Sequence, residues 1–132
     1  MKRIFPLLIA FFVFSTLYAT DYYVNDNSTV GDVYTTAVGN NANPGTAAAP
    51  FSTITHVINN VGLVSGDIIY IDAGSYIETD VKLTINVDNV QLIGAGSQLT
   101  IFDDNLPGYN ENFMKIRADN VAISRFLFCF RL

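Results

Sequence analysis

The sequence predicts an all-β solenoid with one capping α-helix near its start. Three observations predict it. After Gly66 the apolar residues recur with a period of two, which places successive side chains on opposite faces of a strand. The strand-like segments repeat: Ile85-x-x-Asp88-Asn89-Val90-x-Leu92 returns further along as Ile116-x-x-Asp119-Asn120-Val121-x-Ile123. Only one stretch, Phe51 to Val61, carries the spacing of a helical face. A coil of short strands cannot cover its own apolar side, and stacking the next coil does. A flat antiparallel sandwich would call for Asn-Gly or Asp-Gly hairpin turns, and neither dipeptide occurs.

The chain begins with a segment that does not belong to this fold. Lys2 and Arg3 precede the apolar run Ile4 to Phe14, and Ser15 to Ala19 ends in a small residue. This predicts a cleaved secretory signal over 1–19, because the run is shorter than the ~20 residues a spanning helix needs. The mature chain is then expected to start at Thr20 and to be exported, with no membrane span remaining. N-terminal sequencing of exported protein checks this: Thr20 is the expected first residue, and retained Met1 would sink it.

Composition narrows the rest. Of 132 residues, 50% are hydrophobic and 14% charged, which excludes a disordered chain. Removing the leader takes Lys2 and Arg3 out of the count and deepens the net charge from −5 to −7, which excludes a nucleic-acid partner. Cys129 is the single cysteine, so no internal disulfide forms. It sits in Phe126-Leu127-Phe128-Cys129-Phe130, where a buried apolar role is expected.

Residues 20–65 read as a loop-rich lead-in. Tyr22-Tyr23-Val24 is a short strand signal, followed by turn residues from Asn25 to Ser28, Gly31-Asp32 and Gly39 to Thr46. Tyr22, Val24, Val33, Tyr34 and Val38 are expected to pack inward. In the helix predicted over 52–61, Phe51, Ile54, Val57, Ile58 and Val61 share one face, Ser52 is the expected N-cap, and Gly62 the residue after the C-cap. His56 falls on the opposite face, is expected to be solvent-exposed, and takes no catalytic role.

Residues 66–132 hold the coils, about three of them. Strands are expected at 67–71, 81–87, 90–92, 99–102, 113–117 and 121–124. Ala73-Gly74-Ser75 and Ala95-Gly96-Ser97 suggest a second, shorter repeat step. Val81, Leu83, Ile85, Val87, Val90, Leu92, Val121 and Ile123 are expected to face one core, closed at one end by the helix. From Phe126 onward the pattern dissolves, which reads as a truncated end.

At this point Gly66-Asp67-Ile68-Ile69-Tyr70-Ile71-x-x-Gly74-x-Tyr76-x-Glu78 resembles the first coil of right-handed parallel β-helix proteins of the pectate-lyase-like superfamily. Asn89 to Gly96 and Asn120 to Ser124 resemble the coils that follow, and Gly45-Thr46 with Pro50 to Ile54 resembles the lead-in. The resemblance covers most of Tyr22 to Phe128. It implies a right-handed parallel β-helix and no particular reaction, since such proteins include polysaccharide lyases, glycoside hydrolases, epimerases and non-catalytic surface proteins. Arg125 departs from the pattern, which often has a glycine there.

No complete active site is legible. Asp103-Asp104 is a carboxylate pair, but strand neighbours point to opposite faces, so the two would converge only at a turn, and a plain turn accounts for them better. Lys115 and Arg117 share a strand face and suit an acidic sugar, or simply water. Gly94-Ala95-Gly96 lacks the helix a phosphate loop requires and reads as a coil corner. No cofactor motif is evident; Asn25, Asp26, Asn27 and Asp32 offer oxygen ligands for Ca²⁺, without the ordered spacing of an EF-hand. Two function classes stay open. One is an exported module, bacterial by its lack of disulfides, with a structural, adhesive or carbohydrate-contacting role toward polysaccharide or cell-surface partners. The other is the N-terminal part of a polysaccharide lyase or glycoside hydrolase whose catalytic coils lie beyond it.

Overall fold

The computed structural model describes residues 18–78, 83–104 and 114–130. Nearly all of the expected leader, together with Val81, Lys82, Phe113, Arg131 and Leu132, lies outside these residues. In chain order the described elements are β1 (Asp21–Val24), α1 (Ile54–Asn60), β2 (Ile68–Ile71), β3 (Gly74–Glu78), β4 (Leu83–Ile85), β5 (Gln91–Gly94), β6 (Thr100–Asp104), β7 (Met114–Ile116), β8 (Ala122–Ser124) and β9 (Leu127–Phe130). The described residues are mainly strands in parallel sheets, with one short helix.

The strands form three sheets, ordered β1-β2-β5-β8, β3-β6-β9 and β4-β7. Every pairing between these strands is parallel. The inward positions fall in register: Val24, Ile71 and Gly94 on one line, Ile69, Leu92 and Ile123 on another, Tyr76, Phe102 and Phe128 in the second sheet, Leu83 and Met114 in the third. The apolar side chains among them share a single cluster, completed by Phe51, Ile54 and Val57 at α1. Leu83, Ile85, Val90 and Leu92 are buried as expected, while Val87, Val121 and Ile123 are half-buried against the cluster.

Corners set the register. Gly66, Asn89 and Asn120 all have left-handed backbones, with φ of 95°, 60° and 55°. Glycine and asparagine tolerate that region where other residues do not. The corners also bond to one another: the Asn89 N–H donates to Asp119 O at 2.9 Å, the Asp119 N–H to Asp88 Oδ1 at 2.8 Å, and Asn89 Nδ2 to Ser65 Oγ at 2.8 Å.

Several expectations change here. The first repeat step is one residue longer than the Ala-Gly-Ser triplets suggest, because Ile68 faces Gln91. The two triplets are not equivalent, since Gly74 opens β3 and pairs with Thr100. The chain does not dissolve after Phe126: Leu127–Phe130 is a strand paired with β6. Phe128 stands in register with Phe102, but the density of apolar residues around it hides the alternation. The helix starts two residues later than expected, since the Thr53 hydroxyl, not Ser52, accepts from His56 N–H at 3.2 Å. Gly62 follows the C-cap Val61 with φ +77°, as expected. His56 is half-buried, because its ring packs 4.9 Å from that of Phe51. Val33 and Val38 are exposed rather than packed inward. Cys129 is half-buried and stands beside Asp103 in register.

The first edge of the large sheet is covered. The Tyr23 N–H donates to Gly45 O, the Phe51 N–H to Tyr23 O and the Asn25 N–H to Phe51 O, each at 2.9 Å. Close approach demands glycine at 39, where a Cβ would lie 1.9 Å from Asn25 O. No helix among the described residues is long and apolar enough to cross a membrane.

Candidate functional site

The polar centre of the molecule is a carboxylate that the sequence does not advertise. Asp72 follows the last residue of β2 and is fully buried. Its Oδ1 accepts from the N–H groups of Val33 at 2.6 Å and Ala73 at 2.7 Å. Its Oδ2 accepts from the N–H groups of Tyr34 at 2.9 Å and Thr35 at 2.7 Å, and from the Thr35 hydroxyl at 2.8 Å. Burial pushes the Asp72 carboxyl up, but the bonds from Val33, Ala73, Thr35 and Tyr34 outweigh it and hold it below the ordinary carboxylate range. A carboxylate so saturated by donors has no lone pair to spare for chemistry; it pins the lead-in onto the sheet.

Beside it, Asn25 is fully buried, with Nδ2 donating to Asp32 Oδ2 at 2.8 Å, Ala37 O at 2.9 Å and Ser28 O at 3.0 Å. Asp32 is the less satisfied partner. Its Oδ1 is buried with no hydrogen-bond partner among the described residues. Burial, with the nearby charges of Asp72 and Asp26, holds its carboxyl above the ordinary range against the Asn25 and Thr35 bonds. A raised carboxyl contributes stability below its unfolded pKa and loses it as pH rises through the folded value. Asp32→Asn is therefore expected to raise the urea midpoint at pH 7 and to leave it unchanged near pH 3, as measured by urea titration at both values.

Among the described residues, two surfaces are candidates for ligands. On the outer face of the large sheet, Tyr23 and Tyr70 stand in register with Ile93, their rings stacked at 5.2 Å and 19°. Tyr34 tilts over Tyr70 at 5.1 Å and 56°. Arg125 closes this patch: Nη1 donates to Tyr34 Oη at 3.0 Å and Nη2 to Ala95 O at 2.6 Å, while the Tyr34 hydroxyl donates to Gly94 O at 3.1 Å. Arg125 holds φ +66° where the resembled proteins often carry glycine, so the position does need a left-handed backbone, and the guanidinium bonds offset its cost. Burial, then Asp21 and the other two tyrosines, raise the Tyr70 hydroxyl above its usual pKa.

The second surface is a groove of about 290 Å³ between the lead-in and β3. Asp26, Asn27, Ser52 and Thr53 form one wall, and Ser75, Tyr76 and Ile77 the other. Asp26 Oδ1 accepts from Ser28 N–H at 2.7 Å, and its Oδ2 leans over Gly74, where a Cβ would lie 2.5 Å away.

The sequence candidates fare unevenly. Asp103 and Asp104 are consecutive residues of β6, not of a turn, and consecutive strand positions alternate in face. Lys115 and Arg117 are both exposed, one within β7 and one just after it. Asn25 and Asp32 are brought together, Asp26 turns toward Gly74, and Asn27 is exposed. Among the described residues no group of three or more His, Cys, Asp or Glu side chains is arranged to hold a metal ion. In the sequence Asp72 is legible only as a carboxylate ending an apolar strand, and the tyrosines only as strand residues.

No curated protein and no solved structure matches the chain. A family model described as protein of unknown function (DUF1565) matches residues 37–104, which run from the lead-in through β6. That match spans just over half of the 132 residues, and the chain belongs to this family.

Proposed function

We propose that the protein is an exported module in which the three parallel sheets are the faces of a right-handed parallel β-helix, and that its role is structural or adhesive through contact with carbohydrate. The family is one associated with β-helix-like proteins, which supports the coil reading. So does the corner ladder, which recurs from one strand of the large sheet to the next. The observation that carries the functional part is the Tyr23–Tyr70–Tyr34 cluster on the outer sheet face, flanked by Asp21, Gln91, Ser124 and Arg125. Aromatic rings offer apolar surface to the C–H face of a sugar, while polar neighbours meet its hydroxyls. Tyr23 and Tyr70 stand one strand spacing apart on this face, with Ile93 and Ser124 continuing their column, so a sugar lying across the strands meets the rings first and polar groups beyond them.

The test is titration calorimetry of the purified chain against polygalacturonate, alginate and a neutral glucan. Binding to at least one is expected, with Tyr70→Ala weakening it about tenfold, or ~1.4 kcal/mol. No binding to any of them, or binding indifferent to Tyr70, removes the carbohydrate role.

A further inference from the structure

We propose that the groove along β3 is a docking slot for an extended, basic peptide that adds to the sheet as a new strand. Within its sheet β3 pairs only with β6, so among the described residues its other edge has no strand partner. The Gly74 N–H donates to Leu99 O at 2.9 Å, which fixes the alternation of this parallel ladder. Gly74 and Tyr76 turn their amides to β6, so Ser75 and Ile77 turn theirs to the other side, where the groove lies. Two peptide groups spaced at about 6.6 Å along one edge are a template for a strand, not for a sugar ring.

The neighbouring sheet makes the contrast. Its first edge, β1, is already closed by the segment from Gly45 to Phe51, so a whole further coil has no place to stack at this end. A single strand does. Ile77 is 53% exposed and offers apolar contact to a strand lying beside it.

Charge selects the occupant. Asp26 lines the groove, and among the described residues no cationic side chain does. Asp32 and Asp72 lie close enough behind it to act on one another's charge. In a chain of net charge −5 this leaves a negative field over a polar edge, and the complementary ligand carries lysine or arginine facing Asp26.

The experiment uses the full chain, isotopically labelled, and a short blocked peptide of alternating valine and threonine with a central lysine. Titration to about 1 mM is expected to shift the amide resonances of Ser75 and Ile77 and to slow their hydrogen exchange. A peptide with its central lysine replaced by glutamate is expected to bind about tenfold more weakly, and Asp26→Asn to abolish that discrimination. A peptide N-methylated on the amides that would face β3 is expected not to bind. These peptide controls do not depend on whether the variant folds. The proposal is overturned if the N-methylated peptide binds equally, if the shifts fall on β7, β8 or β9 instead, or if no shift occurs. Shifts of Ser75 and Ile77 that follow protein concentration alone would overturn it in favour of a second copy of the chain. Glycan titrations report on the tyrosine face, so failure there leaves this result unaffected.

Discussion

Asp72→Ala is expected to lower the unfolding free energy by about 4 kcal/mol, a large share of the roughly 5–15 kcal/mol that a single domain commonly possesses. The substitution strips the shared acceptor from four backbone amides and one hydroxyl in a fully buried position. Water does not reach that position readily, so donors left without a partner cost more than the bonds themselves contributed. Urea titration of the variant is expected to show a midpoint lowered by about 1–4 M, given slopes of about 1–3 kcal/mol/M. Asp72→Asn keeps the shape and loses the charge, and an effect of about half that size is expected. The sign with pH follows from the lowered carboxyl. Stability from Asp72 is complete above the unfolded value, about pH 4, and is lost as pH falls toward the folded one. The gap between wild type and Asp72→Asn should therefore stay constant from pH 7 to pH 5 and narrow below pH 4. A gap that widens on acidification would mean that Asp72 is not held ionised by these bonds.

Phe102→Ala is expected to cost about 3–5 kcal/mol, the usual penalty for emptying a buried aromatic site. Phe102 is 2% exposed and lies in register between Tyr76 and Phe128, its ring 6.0 Å from the Phe128 ring. Collapse around the cavity is resisted because both neighbours belong to strands whose positions are set by backbone ladders. Phe102→Leu should recover most of the loss. Thermal unfolding of the pair checks this, and equal melting temperatures for the alanine variant and wild type would show that the second sheet does not share the core.

Much of the architecture is legible in the sequence because it rests on alternation. Leu83 and Ile85 flank a polar residue, as Val90 and Leu92 do, so a period of two identifies both strand and face. The corners are legible because Asp88-Asn89 and Asp119-Asn120 recur at the same step that the backbone pairing uses. Alternation fails where both classes of position are apolar, which is why Leu127–Phe130 looks featureless. It also fails where a turn inserts residues, which is why Ala73-Gly74-Ser75 suggests the wrong partner. The candidate surfaces are much less legible. Asp72 is separated by 37 residues from Thr35 and by 38 from Tyr34, and nothing local marks a carboxylate that will gather distant amides. Arg125 and Tyr34 are 91 residues apart and meet only because parallel strands stack. The groove is a property of an edge, and edges are defined by which strand is missing beside them.

The left-handed corners have a consequence for how this chain tolerates length change. Successive strands of the large sheet are separated by unequal stretches of chain, the step from Ile68 to Gln91 being shorter than that from Gln91 to Ala122, yet Gly66, Asn89 and Asn120 occupy the same corner. Additional residues are thus absorbed between elements, with the ladder unaltered on either side. Residues inserted at the exposed Ser97-Gln98 turn between β5 and β6 should be nearly silent, since doubling a connecting segment costs about 0.6 kcal/mol in closure entropy. A single residue inserted within β5 would instead turn Leu92 outward and Gln91 or Ile93 inward, reversing the whole strand. Heritable variation in this protein should accordingly accumulate as insertions between strands and as substitutions, never single-residue insertions, within them.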